Sequence, residues 1–267
     1  MVALADIEAA AERIAPHIHR TPVMTSQLID DVAGASLFFK CENLQKAGAF
    51  KTRGAVNAVF SLPADALAQG VATHSSGNHG AALARAARLR GIPAHIVMPE
   101  NARRVKQAAV RHYGGSVITC EPTLAAREAT LARVLAETGA TEVHPYDNEQ
   151  VIAGQGTAAL ELFEQVPDLD VIVVPVGGGG LLAGCALVAE SRGAQVLAAE
   201  PAGADDAWRS LQSGERVSHH TPDTICDGLL TVLGERNFEI IRSRVEEVLL
   251  VPDGDTVNAM NLISSRM

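Results

Sequence analysis

Short apolar runs alternate with longer alanine-rich segments of helical spacing along most of this chain. Val71-Ala72-Thr73 precedes a helical pattern over 79–90, Ala94 to Met98 precedes one over 102–112, and Ser116 to Thr119 precedes one over 123–137. After His144-Pro145 the alternation resumes as helix 155–166, strand 171–176, helix 181–191, strand 195–199, helices 205–212 and 236–243, strand 247–251 and helix 256–266. At the front, Leu4, Ile7, Ile14 and Ile18 mark a helix over 4–19 that ends near Thr21-Pro22. Strands separated by helices of this length need right-handed crossovers, and so parallel sheets covered on both faces. The expected fold is α/β: two lobes of doubly wound parallel sheet, a large one from 1–68 and 148–267 and a small one from 69–147. The N-terminal helix is expected to pack on the later lobe.

Composition narrows this. Of 267 residues, 47% are hydrophobic and only 3% aromatic, so Ala, Val, Leu and Ile must build the core. A net charge of −9 argues against nucleic acid as a partner, because that affinity rests on Lys and Arg neutralising phosphates. Val171 to Ala189 carries no charge and raises the membrane question, but Pro175 and five glycines would leave backbone groups unpaired in lipid. It reads instead as a buried strand, a loop and a helix start, with no membrane partner. The cysteines, Cys41, Cys120, Cys185 and Cys226, form no CxxC pair, which suits a reducing, cytoplasmic setting. Asp6 and Glu8 stand where an export signal would be basic, so none is expected.

Four stretches carry candidate chemistry. The apolar run Leu37-Phe38-Phe39 leads through a polar turn with Gly48 to Lys51 at the mouth of a helical pattern, a place from which an amine can point into a cleft. A nucleophilic lysine must be partly neutral, and Lys46 and Arg53 are expected to help lower its pKa; a solvated surface lysine is the plainer alternative. Thr73-His74-Ser75-Ser76-Gly77-Asn78-His79-Gly80 lies between a strand and a helix, where exposed N–H groups can bind a carboxylate or phosphate, or where Ser and Asn merely cap. Gly177-Gly178-Gly179-Gly180 follows a buried strand, and successive glycine N–H groups can cradle a phosphate. It lacks a Walker ending, although Glu200 keeps a dinucleotide site in play. Glu200, Asp205 and Asp206, around a tight turn, offer hard oxygen ligands to Mg²⁺ or Ca²⁺, or simply cap a helix.

In this order the stretches resemble the fold-type II pyridoxal-phosphate enzymes, specifically the serine/threonine dehydratase and serine racemase family. Phe50-Lys51-Thr52-Arg53-Gly54-Ala55 is similar to the Schiff-base lysine motif, Ser75 to Gly80 to the asparagine loop and Gly177 to Gly180 to the phosphate loop. Asn148 to Thr157 and Thr224 to Leu229 also resemble family segments. The resemblance implies a tryptophan-synthase-β-like fold with the large lobe binding cofactor and a small mobile lobe.

It further implies that pyridoxal 5′-phosphate is held by Phe50, Lys51, Asn78, Gly177, Gly178, Gly179, Gly180 and Leu181. Lys51 would take the Cα proton, and Ser75, Ser76, Gly77, Asn78 and His79 would grip the carboxylate of a small amino-acid substrate. Glu200, the Ala204 carbonyl and Asp206 match a divalent-cation site. The implied activity is β-elimination from L-serine, L-threonine or 3-hydroxyaspartate to a keto acid and ammonia, by a homodimer. Ser76, matching a catalytic hydroxyl of family racemases, allows serine or aspartate racemisation as the alternative. The family pattern continues past residue 267 with another strand and helix, so the expectation is a chain without the usual partner for the ring nitrogen, and a non-catalytic binding module is the remaining alternative. Ala81 departs from the Gln of several relatives.

Overall fold

The computed structural model describes residues 1–75 and 77–267. Helix α1 (Leu4–Ile14) stops earlier than expected, because Pro16 has no N–H to continue the helical ladder and the chain passes into a 3₁₀ turn over Ala15–His17. Strand β1 (Val23–Met24) and helix α2 (Gln27–Ala33) were not anticipated; strand β2 (Phe39–Lys40) takes up the end of the apolar run Leu37-Phe38-Phe39, and β1 pairs antiparallel with it. These strands have two residues each, too few to show a period in sequence.

Helix α3 (Lys51–Phe60) then leads to β3 (Val71–His74), α4 (Asn78–Arg90), β4 (Ala94–Pro99), α5 (Arg104–His112), β5 (Ser116–Cys120), α6 (Leu124–Thr138) and β6 (Thr141–Glu142). These strands form one parallel sheet in the order β5-β4-β3-β6. Helix α7 (Glu149–Gln165) precedes β7 (Val171–Pro175), α8 (Gly180–Arg192), β8 (Gln195–Pro201), α9 (Asp206–Ser213), α10 (Glu235–Ile241), β9 (Glu247–Val251) and α11 (Asp253–Arg266). The second sheet, β7-β8-β9, is also parallel. The uncharged stretch from Val171 divides into β7, the glycine turn and the start of α8, and no helix among the described residues is long and apolar enough to cross a membrane.

Each sheet has its own apolar cluster. Ile96, Met98, Leu83 and Val110 fill the first with Val56 and Val59 of α3, while Ile172, Val174, Leu182 and Val196 fill the second with Ile7 and Ala10 of α1. Helix α7 begins before the expected residue 155. The Asn148 side chain caps it by accepting from Val151 N–H at 3.0 Å, whereas Gly154 and Gly156 weaken the helical signal in sequence.

Those glycines let α3, α7 and α8 touch backbone to backbone. A Cβ on Gly154 would lie 2.6 Å from Gly54 Cα and 2.7 Å from the Arg53 carbonyl, and one on Gly184 would lie 2.5 Å from the Ile152 carbonyl. The starts of α3 and α8, which carry Lys51 and Gly180, are thereby held at one separation. Gly154→Ala should push α3 from α7 at a cost of about 3 kcal/mol in urea unfolding. A loss below ~1 kcal/mol would show that the helices separate freely.

Candidate active site

Lys51 is the first residue of α3, and the turn before it is strained. Ala47 and Gly48 have φ of +56° and +72°, a left-handed conformation that Ala adopts at some cost. Gln45 braces the turn: its Oε1 accepts from the His19 and Lys46 N–H groups at 2.8 Å each, and its Nε2 donates to the His19 carbonyl at 2.7 Å. Thr52 Oγ1 donates to the Lys46 carbonyl at 2.5 Å.

The turn delivers a half-buried amine whose Nζ donates to the Pro145 carbonyl at 2.9 Å. The Phe50 and Tyr146 ring centres lie 5.3 Å and 5.9 Å from Nζ. Burial lowers the Lys51 pKa to about 8. The expected help from Lys46 and Arg53 is not found, because Arg53 turns into the core and is neutralised by Glu42 and Glu161.

Histidines around the amine are neutral. His144 Nδ1 accepts from the Asp147 N–H at 2.9 Å, so the neutral ring carries its proton on Nε2; burial, then His74, lowers its pKa to about 4. His79, only 2% exposed, meets the Val143 carbonyl through Nε2 at 3.1 Å; burial, then the Lys51 charge, lowers its pKa to about 3. The His79 ring therefore packs inward and leaves only its backbone for the substrate role expected of it.

Ser76 lies outside the described residues. Ser75 Oγ accepts from Gly77 N–H at 3.3 Å and Gly80 N–H at 3.2 Å, which shapes the turn into α4, and Asn78 opens that helix with an exposed side chain. Across the loop, Lys106 of α5 forms an ion pair with Asp227.

In the tetraglycine turn, the N–H groups of Gly177, Gly178 and Gly179 donate to no other described residue. Gly179 has φ +87°, and a Cβ on Gly178 would fall 2.3 Å from the Tyr146 ring. Leu181 continues from Gly180 into the first turn of α8. Since the same ring faces Lys51, Tyr146 joins the amine and the glycine turn into one site. Thr231 adds a buried hydroxyl with no partner among the described residues, 3.0 Å from where a Gly177 Cβ would stand. Unpaired donors here fit a phosphate. Neither Tyr146 nor Thr231 was anticipated, because irregular segments bring both to the site.

Glu200 and Asp206 have no exposed surface. Glu200 accepts from the Ala207 and Trp208 N–H groups at 2.8 Å each, which caps α9, and Asp206 Oδ2 accepts from Leu233 N–H at 2.7 Å. Asp206 Oδ1 is buried without a partner among the described residues, and Ala204 is buried between the two carboxylates in sequence. Burial raises the pKa of both acids, Glu200 to about 7. Among the described residues no group of three or more His, Cys, Asp or Glu is placed to hold a metal ion. The orphaned oxygen and two adjoining carboxylates nonetheless fit a hard cation.

The neutral fraction of Lys51 grows as pH rises through about 8, so its modification by a small aldehyde, trapped by borohydride and mapped by peptide, should follow that midpoint. A midpoint near the ordinary 10.5 would show that burial leaves the amine unperturbed.

The family described as pyridoxal-phosphate dependent enzyme matches residues 14–267. The chain is 50% identical over 260 residues to a beta-hydroxyaspartate dehydratase of Paracoccus denitrificans, covering 97% of this chain and 82% of the relative. It is 51% identical over 271 residues to a serine racemase of Dictyostelium discoideum, covering 100% and 83%. The crystal structure of a threonine deaminase from T.th. superposes with a TM-score of 0.93 at 43% identity, covering 99% of this chain and 87% of that one. With a lysine and an unpaired glycine cradle meeting at one aromatic ring, and with these matches running nearly end to end, the chain belongs to the fold-type II pyridoxal-phosphate dependent enzymes.

Proposed function

We propose that this chain is a pyridoxal-phosphate-dependent ammonia-lyase acting on L-serine, L-threonine or 3-hydroxyaspartate, which loses water by β-elimination and then takes up water in hydrolysis to a keto acid and ammonia. The observation that carries the reading is a partly neutral lysine sharing the Tyr146 ring with Gly178, whose N–H, like those of Gly177 and Gly179, donates to no other described residue. The Gly177–Leu181 backbone would hold the cofactor phosphate, Lys51 its aldehyde, and Phe50 and Asn78 its ring and ring hydroxyl. When bound, the cofactor supplies an aldehyde that condenses with amines and a ring that draws electrons from the substrate Cα–H bond.

The chain's own residues would do the rest. The backbone around Ser75, Ser76, Gly77, Asn78 and His79, at the N-terminus of α4, would hold the substrate carboxylate. Lys51 Nζ, held by Pro145 and neutral in part near pH 8, would take the Cα proton. Neutral His79 and His144 add no positive charge beside it. Residues 69–147 would form the small lobe that closes over substrate and excludes water, with Lys106–Asp227 as a contact across the cleft. Racemisation is the second reading, supported by the serine racemase relative and by the Ser76 hydroxyl in the sequence. A homodimer in the cytoplasm accompanies both readings, in keeping with four free cysteines.

The proposed cation, Mg²⁺ or Ca²⁺, would be held by Glu200, Asp206 and the Ala204 carbonyl. Glu200 has a folded pKa above its unfolded one, so without a cation the folded chain loses stability as pH rises from the ordinary 4.5 through about 7. A cation favours the ionised carboxylate, so the Tm gain on adding Mg²⁺ or Ca²⁺ should be larger at pH 8 than at pH 6 and should vanish in Glu200→Gln. Equal gains in Glu200→Gln and the parent would remove the site.

The reading is tested by absorbance with added pyridoxal phosphate. The parent should show a band near ~410–420 nm that Lys51→Ala lacks, and the parent alone should then form pyruvate or 2-oxobutanoate with ammonia. D-amino acid without keto acid would favour racemisation. A folded parent with neither band nor product would leave a binding module.

A further inference from the structure

One buried amide ties the two halves of this site together. Asn237, on α10, has no exposed surface, and its Nδ2 donates to the Gly178 carbonyl at 2.6 Å and to the Tyr146 carbonyl at 3.1 Å. Because both partners are acceptors, the amide can face them only through its NH₂ group. Its Oδ1 is then left buried, with no partner among the described residues. An unpaired acceptor in the interior destabilises the fold, so the structure keeps this side chain for its two donors.

The two carbonyls belong to segments with different tasks. Gly178 lies in the glycine turn, while Tyr146 follows Pro145, whose carbonyl receives the Lys51 amine. The α10 helix that presents the amide is itself anchored on the Tyr146 side, since the Asp147 carboxylate accepts from the Glu235 and Arg236 N–H groups at 3.2 Å and 3.1 Å. On the other side Gly234 N–H also donates to the Gly178 carbonyl, at 3.1 Å. Packing is close as well: a Cβ on Gly179 would lie 2.9 Å from Asn237 Cβ.

A ligand that carries an aldehyde and a phosphate on one rigid aromatic ring presents them at a nearly constant span. It gains from both contacts only if amine and cradle stand at that span before it arrives. We propose that Asn237 is a positioning residue that sets the separation of the Lys51 amine and the Gly177–Gly180 turn, without touching the ligand. This rests on the reading of that turn as the phosphate cradle.

The test compares two aldehydes that differ in the phosphate. The full chain, stripped of cofactor, is titrated with pyridoxal phosphate and with pyridoxal, and binding is read from the absorbance of the lysine adduct. The parent should prefer the phosphorylated form. In Asn237→Ala the Kd for pyridoxal phosphate should rise about tenfold or more, while that for pyridoxal stays within about twofold. Asn237→Ser, which keeps one donor, should fall between, and it carries the comparison if circular dichroism shows the Ala variant unfolded. Equal losses for both aldehydes, or no loss for either, would overturn the positioning role. A parent that binds both aldehydes equally would overturn the cradle reading itself, whatever the variants do.

Discussion

A guanidinium with no exposed surface holds the first turns of α3 in place. Arg53 reaches Glu42 through Nε and Nη2 at 2.8 Å each, and Glu161 of α7 through Nη1 at 2.8 Å and Nη2 at 2.9 Å. Lys40, at the end of β2, joins Glu161 at 2.8 Å. Two positive and two negative charges leave the network neutral, which is the condition under which buried ions are tolerated. Burial works against the Arg53 charge, yet its bonds to Glu42 and Glu161 hold its pKa above the ordinary value. Successive helical residues turn by roughly 100°, so Lys51, two positions earlier, faces away from Arg53. The clamp that sends Arg53 into the core thus sends Lys51 toward the cleft.

The rest of the site follows from parallel topology. Ser75 follows β3 and Asn78 opens α4, Gly177 to Gly179 follow β7 and Gly180 opens α8, and Glu200 stands at the end of β8 with Asp206 at the start of α9. In open parallel sheets the carboxyl ends of strands are where ligands are received. The electrostatics match this placement. Low polarity depresses the lysine and keeps His79 and His144 uncharged, so the amine's basicity is set by desolvation alone.

The parts of the site legible in sequence were those carried by contiguous residues: the Lys51 motif, the loop from Ser75, the glycine run and the acidic turn. Each is a local pattern in which backbone chemistry demands particular residue types. Their surroundings were not legible. Tyr146 and Thr231 come from segments without a regular period, while Asn237 lies on an expected helix, and no short-range pattern distinguishes an Asn that bridges two carbonyls from one on a surface. The two-residue strand β1 is too short to read, and the start of α7 is obscured by glycines that serve helix contact. Arg53 does not act on Lys51, although it is close in sequence, because its guanidinium is buried against Glu42 and Glu161.

By itself the sequence determined the α/β class, the order of nearly all the long helices and strands, and four loops able to carry chemistry, because period, glycine content and capping are local properties of the chain. Only the tertiary structure decided which charges cancel, which amine loses its water, and which carbonyls one amide can span. Those outcomes depend on distances between residues far apart in sequence, such as Arg53 and Glu161 or Asn237 and Gly178, and helix packing sets those distances.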